Sequence, residues 1–187
     1  YTMRDALYVA GMLNVFHRQC QTLGMANLAQ LVNVLPLIVT DSDRAAATAL
    51  YYPFLLYRAM QPLALKTQVE SPTFACQALG LNMTARSAVP YLDLTATRSA
   101  DGRRLTIGLI NRSEDQKINI GLSLTGLEGL RPVRANQMSA PSPLSANTLD
   151  APDVCRIKPA GLPAWKTPLA EASLPACSIT IWEFEKD

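Results

Sequence analysis

The sequence predicts a mainly β protein: a C-terminal β-sandwich of jelly-roll type, preceded by a helix–strand–helix piece of the (β/α)8-barrel kind. Three observations carry that expectation. Apolar residues recur at helical spacing near the N-terminus, they alternate with period two beyond residue 66, and turn residues separate the alternating runs. With 187 residues, 49% apolar and 17% charged, the chain can bury a sizeable core and is not a disordered one.

Thr2 and Asp5 form a capping pair ahead of Ala6, Val9, Ala10, Leu13, Phe16 and Cys20, which draw one apolar face on a helix over 4–22. Gly24 stands where such a helix closes. His17 is the single His and reads as a structural or surface residue. Next comes Met25-Ala26-Asn27-Leu28-Ala29-Gln30-Leu31-Val32-Asn33-Val34-Leu35, almost wholly apolar except for three amides and expected as a buried strand and turn. Buried amides cost free energy unless their donors and acceptors are met. Asn27, Gln30 and Asn33 therefore either bond neighbouring backbone or point into a cleft, where neutral amides suit sugar hydroxyls. Asp41-Ser42-Asp43-Arg44 is a solvated loop, and a second helix runs from near Pro53 to about Met60. One strand and two helices are too few to close a barrel.

Beyond residue 66 the period changes. Leu92, Leu94 and Ala96 alternate with Asp93, Thr95 and Thr97; Asp101-Gly102 signals a hairpin; Leu105, Ile107 and Leu109 return. Ile118, Ile120, Leu122 and Leu124 alternate again, so a three-stranded meander with one dry face is expected, covered by a second sheet. Residues 133–138 and 178–185 add strands. The proline-rich passage 141–175 is expected as a long irregular crossing with room for a short strand. Trp182 belongs in the core or an interface, while Trp165 either packs or contacts a sugar or another domain.

Seventeen Lys+Arg against 15 Asp+Glu leave a charge of +2, which gives no basis for a nucleic-acid partner. The richest apolar run, 31–39, is broken by Asn33 and Pro36 and does not suit a membrane span. A single His excludes a HExxH zinc site. Cys20, Cys76, Cys155 and Cys177 lack metal-ligand spacing and read as free thiols or as one Cys155–Cys177 disulfide. Asn82-Met83-Thr84 and Asn111-Arg112-Ser113 are glycosylation-type triplets of the sort that arise by chance. The chain opens at Tyr1 on the approach to a helix, which suggests a piece of a longer protein.

Asp5-Ala6-Leu7, Leu13-Asn14-Val15-Phe16-His17-Arg18 and the Met25 to Val34 block resemble glycoside hydrolase family 51, the α-L-arabinofuranosidases. The likeness continues, in order, through Tyr52-Pro53-Phe54, Ser71-Pro72-Thr73, Val89-Pro90-Tyr91-Leu92-Asp93, Asn111-Arg112-Ser113, Asn147-Thr148 and Ala151-Pro152-Asp153. It implies that residues 1–65 are the C-terminal remnant of a (β/α)8 catalytic barrel (seventh helix, eighth strand, eighth helix) and that 66–187 form the sandwich. It implies retaining hydrolysis of terminal α-L-arabinofuranosyl residues from arabinan or arabinoxylan, with two glutamates whose carboxyls stand about 5–5.5 Å apart.

Both family glutamate motifs belong upstream of this chain, and none of Glu70, Glu114, Glu128, Glu171, Glu183 and Glu185 matches either. An inactive C-terminal fragment of the enzyme is therefore expected, with no catalytic residue, cofactor or metal of its own. By the resemblance, Gln30 follows the eighth barrel strand and bonds the arabinose, while Asn27 and Asn33 are weaker candidates that brace the strand end. Leu23-Gly24 departs from the family's more frequent Val-Lys. The likeness further implies arabinofuranosyl oligosaccharides as partners and a homo-oligomer; a cytoplasmic rather than secreted location is expected beside it, and charge and hydropathy give no basis for nucleic acid or membrane. The alternative is an accessory sandwich that binds carbohydrate or serves assembly.

Overall fold

The computed structural model describes residues 1–28, 30–80, 83–166 and 168–186. In chain order the elements are α1 (Met3–Arg18), β1 (Ile38–Thr40), β2 (Ala45–Ala47), α2 (Tyr51–Tyr57), β3 (Leu63–Leu65), β4 (Thr73–Cys76) and β5 (Arg86–Pro90). They continue as β6 (Leu92–Arg98), β7 (Arg104–Asn111), β8 (Ile118–Ser123), β9 (Leu130–Ser139), β10 (Arg156–Pro159), β11 (Ala164–Lys166), β12 (Leu169–Leu174) and β13 (Ser178–Lys186). An antiparallel six-stranded sheet runs β10-β9-β13-β7-β6-β3, and a three-stranded sheet, β11-β12-β8, faces it. β1-β2 and β4-β5 are separate hairpins.

The two faces of the large sheet follow from period-two alternation. Leu92, Leu94 and Ala96 of β6, Leu105, Ile107 and Leu109 of β7, and Trp182 and Phe184 of β13 point inward. They meet Ile120 and Leu174 of the smaller sheet. On the opposite face Ile110, Ile179 and Ile181 pack beneath Met3, Ala6, Leu7 and Ala10 of α1 and Leu56 and Tyr57 of α2.

That helical cover overturns the expectation of one dry face: both faces of β6 are buried from Leu92 to Thr97. The outer-face threonines supply the polar partners that burial demands. Thr97 Oγ1 accepts from the Gln61 N–H at 2.8 Å, and Thr106 Oγ1 donates to Ala59 O at 2.9 Å, seating the end of α2 on the sheet. Gly108 lies under the same contact, where a Cβ would come within 2.6 Å of Met60 Cε.

Other expectations also change. The strand expected across 25–35 does not form: 23–31 is irregular among the described residues, with an isolated parallel bridge at Val32 and Ile38 and the strand β1 beyond it. A parallel strand needs neighbours on both sides to complete its backbone hydrogen bonds, and among the described residues this segment has only that one bridge. β8 does not continue a meander with β7. It crosses to the second sheet and pairs with β12, while the supposedly irregular proline-rich passage supplies β10, β11 and β12. α1 closes earlier than residue 22, at Arg18, and its buried positions are Met3, Ala6, Leu7, Ala10 and Asn14. Val9 and Phe16 are only half-buried and Cys20 is exposed, so the apolar face is rotated from the expected one.

All four cysteines are free thiols, which removes the Cys155–Cys177 disulfide. Burial raises both of those thiols above their ordinary range. Asn111 is fully buried and its Nδ2 donates to the carbonyls of Gln116, Leu174 and Pro175, so it is no glycan acceptor. Asn82 of the other triplet lies outside the described residues.

Candidate functional site

The segment between α1 and β1 carries the candidate amides. α1 begins with the Thr2 N–H and hydroxyl both donating to Asp5 Oδ2, at 2.7 and 3.0 Å. Its last turn is held by charge. Arg18 donates to Asp93 Oδ1 at 2.8 Å and to Leu94 O, while Arg112 donates to Asp93 Oδ2 at 2.7 Å and to Pro90 O. Asp93 is buried, so this two-arginine clasp replaces its lost hydration and fastens the helix end to β6 and β7. Deeper in the same interface Tyr57 Oη donates to Asn14 Oδ1 at 2.5 Å. Burial pushes the Tyr57 hydroxyl well above the usual phenol range, so it serves as a permanent donor. His17 Nδ1 lies 2.7 Å from Leu13 O and its ring sits 5.9 Å from that of Tyr57, a structural placement.

Beyond the clasp the described residues of the chain run along the protein surface. Met25, Leu28, Leu31, Val32, Val34 and Leu35 are exposed, from 44% for Val32 to 76% for Met25. Gln30 and Asn33 adopt left-handed φ values of 62° and 61°. Asn33 closes the following turn: its Nδ2 donates to Thr40 Oγ1 at 2.8 Å and its Oδ1 accepts from the Thr40 N–H at 2.7 Å. Asn27 and Gln30 are exposed and make no side-chain hydrogen bond among the described residues. The structure thus commits one of the three amides to bracing and leaves two with free donors and acceptors, in an apolar surface.

Asp41 and Asp43 occupy a solvated loop, as expected; the hydrogen bond from Arg44 holds the Asp41 carboxyl below the usual range. Trp165 is half-buried, with its ring edge-on to Phe184 at 5.5 Å, and so is part of the packing between the sheets rather than a free stacking platform.

Sequence reasoning missed a groove of about 760 Å³ between α1 and the β4-β5 hairpin, lined by Tyr8, Phe74, Tyr91, Arg4, Arg112 and Glu114. The Phe74–Tyr91 ring pair (4.8 Å) joins residues distant in sequence, so no local pattern announces it. Among the described residues no helix is long and apolar enough to cross a membrane.

Fold and site define a two-sheet β domain with helices on its outer face and an amide-bearing apolar loop at its surface. Residues 1–178 match the α-L-arabinofuranosidase C-terminal domain, and the chain belongs to that family. It is 34% identical over 119 residues to a probable α-L-arabinofuranosidase C of Aspergillus clavatus, a match covering 63% of this chain and 23% of that protein. An intracellular exo-α-(1→5)-L-arabinofuranosidase of Halalkalibacterium halodurans is 28% identical over 131 residues, covering 69% of this chain and 25% of the relative. The thermostable GH51 α-L-arabinofuranosidase of Thermotoga petrophila RKU-1 superposes with a TM-score of 0.88 at 26% identity, over 98% of this chain and 38% of that one. The chain is thus similar to the C-terminal portion of family 51 enzymes and spans about a quarter of the length of the curated relatives it matches.

Proposed function

We propose that this chain is the C-terminal portion of an α-L-arabinofuranosidase that removes terminal α-L-arabinofuranosyl residues from arabinan or arabinoxylan side chains. In that reading residues 1–65 complete a catalytic barrel, except that β3 at their end already lies in the large sheet, and 66–187 form the rest of the sandwich that braces it. The observation that carries it is the pairing of family membership over 1–178 with an apolar loop whose Asn27 and Gln30 amides are unpaired among the described residues. A barrel packed against that loop would cover the apolar side chains and leave the amides for a sugar.

The chemistry divides accordingly. One glutamate of the upstream polypeptide protonates the glycosidic oxygen as the other attacks the anomeric carbon, and water then hydrolyses the glycosyl ester. Gln30 takes no part in bond breaking; it donates to and accepts from arabinose hydroxyls and so orients the ring. Asn33 holds the loop through Thr40. The parent works as a homo-oligomer in the cytoplasm, in keeping with an intracellular relative.

The complete enzyme should hydrolyse 4-nitrophenyl α-L-arabinofuranoside, whereas the 187-residue chain should not. Gln30→Ala in the complete enzyme should lower kcat/KM roughly tenfold or more, about 1.4 kcal/mol for a lost sugar hydrogen bond. Unchanged kinetics would show that the amide points away from the sugar.

A further inference from the structure

The stretch 140–155 crosses from β9 to β10 and straps down the N-terminal third of the chain on its way. It carries Asn147-Thr148 and Ala151-Pro152-Asp153, both part of the family likeness. Its first half caps α1. The Met3 N–H donates to Ser145 O at 2.8 Å and the Arg4 N–H to Pro143 O at 2.9 Å, while Thr2 forms a bridge with Ala146. Such N–H groups open a helix and have no partner within it. The second half is a turn closed by Thr148, whose Oγ1 accepts from the Ala151 N–H at 3.0 Å. Asn147 joins the two halves. It is 7% exposed; its Oδ1 accepts from the Cys155 N–H at 2.7 Å, and its Nδ2 donates to Cys155 O at 2.9 Å and to Ala47 O at 3.0 Å.

The bond to Ala47 starts a relay. The Ala47 carbonyl and the Thr48 N–H belong to one peptide unit, and that N–H donates to Leu37 O at 2.8 Å. The Leu37 carbonyl shares its peptide unit with the Ile38 N–H, which donates to Leu31 O at 3.1 Å. Leu31 follows Gln30, whose φ is 62°. We infer that Asn147 is a positioning residue: it anchors the loop on the far side of Gln30, as the clasp on Asp93 holds the helix end before it, and so fixes where the amide stands. The inference rests on the reading of Gln30 as a sugar contact. A contact of that kind works only when its groups are held within about 0.5 Å of their place, which a surface loop does not achieve alone. The Arg44–Asp150 ion pair also ties the β1-β2 hairpin to the strap, but its side chains are 51% and 87% exposed and hold weakly. The bond from Asn147 is buried, and losing it strands the Ala47 carbonyl. The residue type is specific as well. Two donors and an acceptor on one short side chain are what an amide supplies; a carboxylate there would face two carbonyls.

A double-mutant cycle in the complete enzyme tests it, with kcat/KM on 4-nitrophenyl α-L-arabinofuranoside measured for Asn147→Ala, Gln30→Ala and the pair. The expected loss from Asn147→Ala is roughly fivefold or more when Gln30 is present and less than about twofold once Gln30→Ala has been made. A merely structural Asn147 would cost the same factor in both backgrounds, or nothing, and either result overturns the inference. Asn147→Ser, which keeps one donor, enters the same cycle where the alanine variant does not fold, and the same pattern is expected at smaller size. Amide exchange of the 187-residue chain gives a readout independent of the sugar. Either Asn147 variant should speed exchange of the Thr48 and Ile38 N–H groups roughly tenfold or more, with β13 unchanged. Unchanged exchange at Thr48 and Ile38 overturns the inference whatever the kinetics. Faster exchange in a protein whose Gln30→Ala enzyme keeps full kcat/KM refutes the sugar contact of the proposed function and leaves the anchoring of the loop by Asn147 standing.

Discussion

β13 and the stretch 25–35 are both rich in large apolar residues, and they finish on opposite sides of the protein–water boundary. Each of the nine residues of β13 has a neighbour in β9, and most also have one in β7, and Ser178 to Trp182 are buried throughout. In 25–35 six large apolar side chains face solvent and the backbone makes an isolated bridge in place of a ladder. Hydrophobicity alone therefore does not bury a segment. A strand is buried when flanking strands accept its hydrogen bonds, and among the described residues 25–35 meets a neighbour only at the bridge between Val32 and Ile38.

The contrast can be broken or sharpened by substitution. Trp182→Ala should have the largest effect, a loss of about 3–5 kcal/mol in guanidinium denaturation, because the indole is fully enclosed between the sheets. A loss below about 1 kcal/mol would mean that the strand tolerates a cavity and is not the anchor described. Asp93→Ala should cost less, about 2 kcal/mol, since it strands two arginines that each keep some contact with water. The same variant should loosen the end of α1, read as faster amide exchange near Arg18. Leu31→Ser should change stability by no more than about 0.5 kcal/mol in this chain, as the side chain is already exposed. A loss above about 1.5 kcal/mol would place Leu31 in a core and erase the comparison.

The sandwich was legible in sequence where alternation was local. The Asp101-Gly102 hairpin forms, with Gly102 at φ 72° and Ser99 Oγ donating to Asp101 Oδ1, and Trp182 is in the core. Pairing partners were not legible. Nothing in Ile118 to Leu124 says that β8 leaves β7 for β12: the pairing partner lies about fifty residues on, and Asn111, at the end of β7, bonds carbonyls at Leu174 and Pro175 that no local pattern announces. The prolines of 141–175 masked three strands, since proline is tolerated at strand ends and edges, as Pro159 at the end of β10 illustrates. At the candidate site, the amides stood out because they interrupted an apolar run. The resemblance, not the spacing, set Gln30 apart from Asn33, and the bonds of Asn33 to Thr40 show the bracing it provides. The helix-covered outer face of β6 was hidden because Asp93, Thr95 and Thr97 read as solvent-facing; their burial depends on Arg18, Arg112 and the α2 seat, all distant in sequence.

The clasp of Arg18 and Arg112 on Asp93 has a mechanical meaning. The loop with Gln30 follows a helix end that is bolted to the sandwich, so in the proposed reading the β domain is the fixture from which the amide is aimed. Under the proposed role, a lesion in β6 would then misalign a sugar that β6 never touches. Catalytic loss without any change at the sugar-facing residues would be the signature of a damaged mount.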